Sequence, residues 1–496
     1  MRLATLLLSS LALVALHAHG AGALAVRNLY VDSAKQQVSF EIVNVSAQAV
    51  HSWTMTIASK KKPPSGDAYK SNPYQSNMLT TSESCSRGVG APLAPGESRN
   101  CNGSLYSGEP ATVLSAEVIV TSVLFEDGSA EGDVTLLDNL ARVRRSQFRC
   151  LEFWIGQLEP ALGASTPREQ LQGMQKALSV PDSAIPLDLR YDPAAAQERN
   201  NLLIQVAHSL QMPDDPQMGD PRGQAVGTVE MNKHRLNQMR SAHEAFPPRR
   251  GADLTPPVSD PLQGWKAVAR TSALQLVAVR DDSSPMRLTT LFLQNVTPKP
   301  ITALAVAFGS SDERGGNSVD CFAGGPTAVC VLPGTSYALS QVNASDHTLI
   351  VKAVVFEDGS GDGVQRDIDA INFTRLGRMF ETERIRNITD AADTDFTSLP
   401  AKLGELPQSP EAVFPSLEQV KLPGITLDRI RSADATSRMF FLNGVRSARE
   451  GTTRRLAEYQ RRTATPAAAL EEMRRDLRDL SGRYRAYCER VYATAK

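Results

Sequence analysis

Apolar positions along this chain follow two periods. Around residues 38–57 and again around 289–308, β-branched and aromatic residues fall in short runs, as in Val38-Ser39-Phe40-Glu41-Ile42 and Leu291-Phe292-Leu293. Such runs predict strands. They are punctuated by Asn, by Pro-Gly (Pro95-Gly96, Pro333-Gly334) and by Asp-Gly (Asp127-Gly128, Asp358-Gly359), residues that turn a chain for distinct steric and hydrogen-bonding reasons. At 134–154 and 364–388 the spacing lengthens to three and four residues with Arg interspersed, which predicts helices. The same spacing predicts helices at 167–178, 194–211, 229–246 and 447–462. From Pro466 onward, Leu470, Met473, Leu477, Leu480, Tyr484, Tyr487 and Val491 alternate intervals of three and four, a coiled-coil seam.

The two strand-rich stretches resemble each other. Asn44-Val45-Ser46 matches Asn295-Val296-Thr297, Leu93-Ala94-Pro95-Gly96 matches Val331-Leu332-Pro333-Gly334, and Val123-Leu124-Phe125-Glu126-Asp127-Gly128-Ser129 matches Val354-Val355-Phe356-Glu357-Asp358-Gly359-Ser360. The offset is 251 at the Asn and 231 at the Phe, so the first copy carries about 20 extra residues. They are assigned to a loop at residues 60–79, the most exposed candidate surface for a partner. Each copy has the length of one small antiparallel sandwich. On these motifs the chain resembles the immunoglobulin-like sandwiches of uncharacterised secreted bacterial proteins. The resemblance covers about half the chain and implies a fold, not an activity. The Cys–Trp–Cys core of antibody domains is absent, so no receptor or antibody role follows.

The expected class is therefore multi-domain α+β: two repeated antiparallel β-sandwich modules, each followed by a helix, with a helical connector and a helical C-terminus. The expected segments are a signal peptide at 1–25, a first module at 26–133, a helical connector at 134–246, and a Pro-rich linker at 247–265. A second module at 266–363, a helix at 364–389, an irregular linker at 390–424 and a basic helical segment at 425–496 complete the chain.

Composition adds the compartment. Arg2, the apolar run from Leu6 to Leu16, and the small-residue sites Ala21-Gly22-Ala23 and Ala23-Leu24-Ala25 form a secretory signal with cleavage expected at Ala23 or Ala25. The run is too short for a bilayer, which needs about 20 apolar residues, and no later segment is apolar enough, so a secreted or periplasmic protein is expected. Hydrophobic residues make up 41% and charged residues 22%, an ordinary globular balance. Net charge is −1, with the excess of Arg near the C-terminus. Those arginines are interleaved with acids, so nucleic acid is not an expected partner. The seam at 466–491 serves either an intramolecular hairpin or a homo-oligomer.

Six cysteines in an oxidising compartment favour disulfides. Cys85 with Cys101, and Cys321 with Cys330, each enclose a Gly-, Pro- or Ser-containing loop. Cys150 and Cys488 remain, as a third pair or as buried thiols.

The chemistry-bearing candidates are the two acidic loops. Asp358, Ser360, Asp362, Gly363 and Asp369 fit the spacing of a twelve-residue calcium loop, and Asp127, Ser129, Glu131, Gly132 and Asp138 repeat it with a longer acid at the fifth position. The alternative is a plain Asp-Gly turn followed by an early-helix carboxylate. No H-E-x-x-H, G-x-S-x-G, Walker or dinucleotide motif occurs. The expected function is a non-enzymatic secreted binding or scaffold protein with a protein or cell-surface partner. The alternatives are a cell-envelope assembly component acting through its C-terminal helices, and a hydrolase whose paired carboxylates sequence cannot select.

Overall fold

The computed structural model describes residues 22–33, 36–62, 74–81, 92–105, 112–211, 225, 227–237, 262–281, 288–309, 317–322, 329–342, 347–407, 409–420, 427–463 and 465–493. The fold is mixed α+β, with several antiparallel sheets and a helical C-terminus. The chain divides into two units. One comprises Met1–Gly156, Gly227–Val258 and Asp281–Leu288; the other comprises Gln157–Val226, Ser259–Arg280 and Thr289–Lys496.

In the first unit, β1 (Leu24–Asp32), β2 (Gln37–Asn44) and β5 (Ser98–Ser104) form a sheet in the order β1-β2-β5. A second sheet has the order β4-β3-β6-β7, from β3 (Val50–Lys62), β4 (Tyr74–Thr81), β6 (Thr112–Phe125) and β7 (Ala130–Gly132). Because side chains alternate across a strand, Val38, Phe40 and Ile42 of β2 enter the same core as Trp53, Met55 and Ile57 of β3 and Val118, Val120 and Val123 of β6. On β1 the register shifts between Arg27 and Tyr30. Asn28 there has φ +52°, a left-handed conformation that Asn tolerates better than most residues.

The expected insertion at 60–79 is not one loop. Lys60–Lys62 extend β3, with Lys60 and Lys61 paired to Gln75 and Tyr74 of β4, and Lys61 is buried, its ammonium donating to the Leu105 carbonyl. Residues 63–73 lie outside the described residues. After β7 comes α1 (Val134–Leu158). Its Leu137 packs on Leu124, and the Thr135 amide donates to Asp133 Oδ1 at 3.0 Å.

In the second unit the helical stretch carries α2 (Pro167–Leu178), α3 (Leu187–Arg190) and α4 (Pro193–Gln211). Thr166 and Glu169 start α2 with a reciprocal capping box. Helix α5, at residues 227–237, belongs to the first unit; the rest of the expected helix at 229–246 lies outside the described residues.

The second unit's sheets have the orders β13-β10-β9 and β12-β11-β14-β15, with β8 parallel to β14. The strands are β8 (Lys266–Ala269), β9 (Leu274–Asp281), β10 (Leu288–Asn295), β11 (Ile301–Phe308), β12 (Asn317–Asp320), β13 (Ser336–Val342), β14 (Thr348–Phe356) and β15 (Gly361–Gly363). Trp265, expected in a linker, is 5% exposed and lies in this core. Strands β11 and β14 are buried almost end to end, the pattern of strands covered on both faces. Leu304, Val306, Val351 and Val354 point into the core between sheets, while Ala303, Ala305, Ala353 and Val355 pack under helices.

Those helices are α6 (Gln365–Asp390), α7 (Leu399–Gly404), α8 (Pro410–Leu417), α9 (Asp428–Arg431), α10 (Ala435–Arg462) and α11 (Pro466–Ala493). The stretch 390–424, expected to be irregular, thus contains α7 and α8, because Leu399, Leu403, Val413 and Leu417 supply buried apolar anchors. Helix α10 begins twelve residues before the expected start at 447, with Asp434 capping its Ser437 amide. The α11 seam is used inside the chain: Met473, Leu477, Leu480, Tyr484 and Tyr487 are buried against this unit's own helices and sheet. Among the described residues no helix is long and apolar enough to cross a membrane.

Candidate functional site: the acidic loops and a buried ionic layer

Both acidic loops begin as hairpin turns. In the first, Phe125 N–H donates to Ser129 O (2.9 Å) and Gly128 N–H to Phe125 O (3.1 Å); in the second, Phe356 donates to Ser360 O (2.8 Å) and Gly359 to Phe356 O (3.1 Å). The Ser129 amide and hydroxyl donate to Asp127 Oδ1, as those of Ser360 do to Asp358 Oδ1. The other carboxylate oxygen is met from the preceding turn: Gln48 Nε2 reaches Asp127 Oδ2 at 3.2 Å, and Lys299 Nζ reaches Asp358 Oδ2 at 2.7 Å. Burial pushes the Asp358 carboxyl up, but the hydrogen bonds from Lys299 and Ser360 and the ammonium's charge outweigh it, leaving the group at about 2. Asp127, held by the Ser129 hydroxyl and amide, also lies below the usual carboxylate range.

The fifth-position acids serve another strand. Asp362 Oδ2 accepts from Thr271 Oγ1 (2.7 Å), Ser272 N (2.8 Å) and Ser272 Oγ (2.9 Å), and Glu131 accepts from the Gly22 amide. Asp369 Oδ1 accepts from Gln365 Nε2 at 2.9 Å within α6, and Asp138 is half-buried on α1. The expected ligands therefore do not converge: Asp358 with Ser360, Asp362, and Asp369 each answer to different protein donors. Among the described residues, no three His, Cys, Asp or Glu side chains group so as to hold a metal ion. The loop glycines have a steric reason of their own. Gly132 (φ +85°) and Gly363 (φ +118°) lie so close to the neighbouring strand that a β-carbon would fall 2.2 Å from Thr121 O and 2.3 Å from Lys352 O.

The matched asparagines are equally engaged. Asn44 Nδ2 donates to Gln48 O and Leu93 O, both at 2.8 Å, and Oδ1 accepts from the Ser46 amide and hydroxyl. Asn295 Nδ2 donates to Lys299 O (2.8 Å) and Val331 O (3.2 Å), and Oδ1 accepts from Thr297. Both asparagines are fully buried.

Sequence reasoning missed a buried charged cluster, which lies where α6 meets the sheet. Arg375, fully buried, donates to Asp320 Oδ1 through Nη2 (2.7 Å) and Nε (3.2 Å), to Thr302 Oγ1 (3.1 Å), and to Thr302 O (3.0 Å). Its guanidinium sits over the rings of Phe322 and Tyr487, 4.8 and 4.5 Å from their centroids, a cation–π sandwich. Burial acts to lower the Arg375 pKa, but Asp320 and Tyr487 override it and the net shift is upward. Arg378 takes the other oxygen of Asp320 at 2.7 Å. Further along α6, Glu381 pairs with Arg384 and with Arg449 Nε (2.8 Å), and Glu383 pairs with Arg386 (2.5 Å) and Arg485 (2.8 Å) and accepts from Ser481. Burial raises Tyr484 and Tyr487 to about 12. The only sequence signal for this layer was charge at positions of α6 that the helical spacing places among apolar ones.

Cys321 and Cys330 form a disulfide with Cα atoms 5.3 Å apart, bordering Asp320. Cys101 is disulfide-bonded, and Cys85, its expected partner, lies outside the described residues. Cys150 and Cys488 are buried thiols outside any disulfide rather than a third pair, and burial pushes the Cys488 thiol up to about 12.

No known protein family, no curated protein and no solved structure matches this chain.

Proposed function

We propose that this chain is an exported, non-enzymatic binding or scaffold protein whose two strand-rich stretches are copies of one immunoglobulin-like sandwich module. The observation that carries the reading is the shared set of hydrogen bonds at matched positions: Asn44 and Asn295, Asp127 and Asp358, Glu131 and Asp362 each engage the equivalent backbone partners. Polar side chains that could have formed a site are instead committed to holding turns and strand ends. The same holds for the carboxylates of the ionic layer, where Glu381 is fully buried between arginines. Buried pairs of this kind fix which element packs where more than they add net stability. Loops on such a scaffold face its protein or cell-surface partner, and calcium is not part of this reading.

An activity screen of the mature protein over chromogenic glycosides, esters and peptides tests the proposal. The expected result is turnover no higher than that of the heat-denatured protein. Turnover by the native protein that is absent after heat denaturation would establish the hydrolase alternative instead.

A further inference from the structure

Strands β1 and β9 start in the same way from different residues. In the second, the Ser272 amide donates to Asp362, the Ala273 carbonyl accepts from Val296 N–H at 3.0 Å, and Ala273 and Leu274 are 0% and 3% exposed. In the first, the Gly22 amide donates to Glu131, the Ala23 carbonyl accepts from Val45 N–H at 3.0 Å, and Ala23 and Leu24 are 5% and 4% exposed. Gly22 and Ala23 are thus already held by the fold, ahead of or at both small-residue sites that the sequence offered for cleavage. A cut after Ala23 would remove the amide held by Glu131 and the carbonyl held by Val45. A cut after Ala25 would also remove the Leu24 side chain from the core and the pairings Leu24↔Asn44 and Ala25↔Val43.

We infer that the leader is cut upstream of Gly22, between Gly20 and Ala21, so that the mature chain keeps its whole first strand. The inference rests on the export reading above. Ala18 and Gly20 supply the small side chains that a leader peptidase needs three and one positions before the bond. A cut after Ala21 would put His19 at the first of these. The Gly20–Ala21 bond is also nearer the apolar run ending at Leu16 than either alternative. The step is hydrolysis: water's oxygen adds to the Gly20 carbonyl carbon, the amide C–N bond breaks, and both of water's protons go to the Ala21 nitrogen. A carboxylate remains on the leader and an ammonium on Ala21, one residue ahead of the amide that Glu131 receives.

The test is to express the full chain in a secreting bacterial host and read the N-terminus of the exported protein by intact mass and N-terminal sequencing. Ala21 as first residue is expected; Leu24 or Val26 overturns the inference, and a chain retaining Met1 overturns export itself. Leaderless chains beginning at Ala21 and at Val26 separate the two failures. The Val26 chain is expected to melt roughly 5 °C lower, from the loss of one buried leucine and its strand contacts. Equal melting temperatures would show that residues 21–25 do not belong to the folded module.

Discussion

Asn44 shows what a single side chain contributes to this fold. Its side chain is buried, its amide nitrogen meets two carbonyls and its oxygen meets Ser46. Replacing it by Ala removes the hydrogen bonds of a buried side chain, while Gln48 O keeps the Ser46 hydroxyl and Leu93 O keeps the Val50 amide, so the loss is about 2 kcal/mol. Asn44→Ala and Asn295→Ala are each expected to lower the urea midpoint by the corresponding amount. Asn44→Asp, which keeps the acceptor oxygen and removes the donor, should recover little. Asp358 gives a pH dependence with a definite sign. Its carboxyl lies at about 2 in the folded chain against 3.8 ordinarily, so the folded state favours the ionised form. The resulting stability is present above pH 4 and is lost as pH falls from 4 toward 2. In Asp358→Asn this part of the pH dependence should be missing, which urea melts at pH 2–5 would show. From sequence the Asp-Gly loop was legible as a turn, but the direction of each carboxylate was not. Lys299 and Ser272 are 59 and 90 residues from the acids they bind, and no local pattern connects them.

At the scale of elements, α6 and α10 cross at paired glycines. A β-carbon on Gly377 would lie 2.0 Å from Phe441 O, and one on Gly444 would lie 2.0 Å from Thr374 O. Both obstacles are backbone, so the helices must separate, and the overpacking is expected to cost about 3 kcal/mol for either Gly→Ala change. A melting temperature unchanged in Gly377→Ala would contradict this crossing. Glu381 tests the adjacent layer: Glu381→Leu leaves the Arg384 and Arg449 guanidiniums without their carboxylate, a loss of about 3–5 kcal/mol measurable by denaturant titration. Period alone placed the long helices α1, α2, α4, α6 and α11, because each has an apolar stripe at helical spacing. It missed α7 and α8, which are too short to show a period and hold their shape through a few buried leucines and a valine. Nor does period show that β11 and β14 are covered on both faces, since the helical layer that covers one face follows them in the chain.

For the whole molecule, the α11 seam has a definite outcome. Met473, Leu477, Leu480, Tyr484 and Tyr487 are buried within the chain, so this surface is not open to a second copy. Sedimentation of the purified protein should give a monomer mass that does not change with concentration; a mass that rises with concentration would mean that another surface associates. The loop carboxylates close turns and hold the starts of β1 and β9. Calcium titration calorimetry, with thermal melts in calcium and in chelator, tests whether that is their whole role. No saturable heat and no shift in melting temperature are expected, because Asp127, Asp358 and Asp362 are already met by internal donors. Saturable binding that stabilises the folded form, and that disappears in the Asp358→Asn, Asp362→Asn double variant, would contradict this.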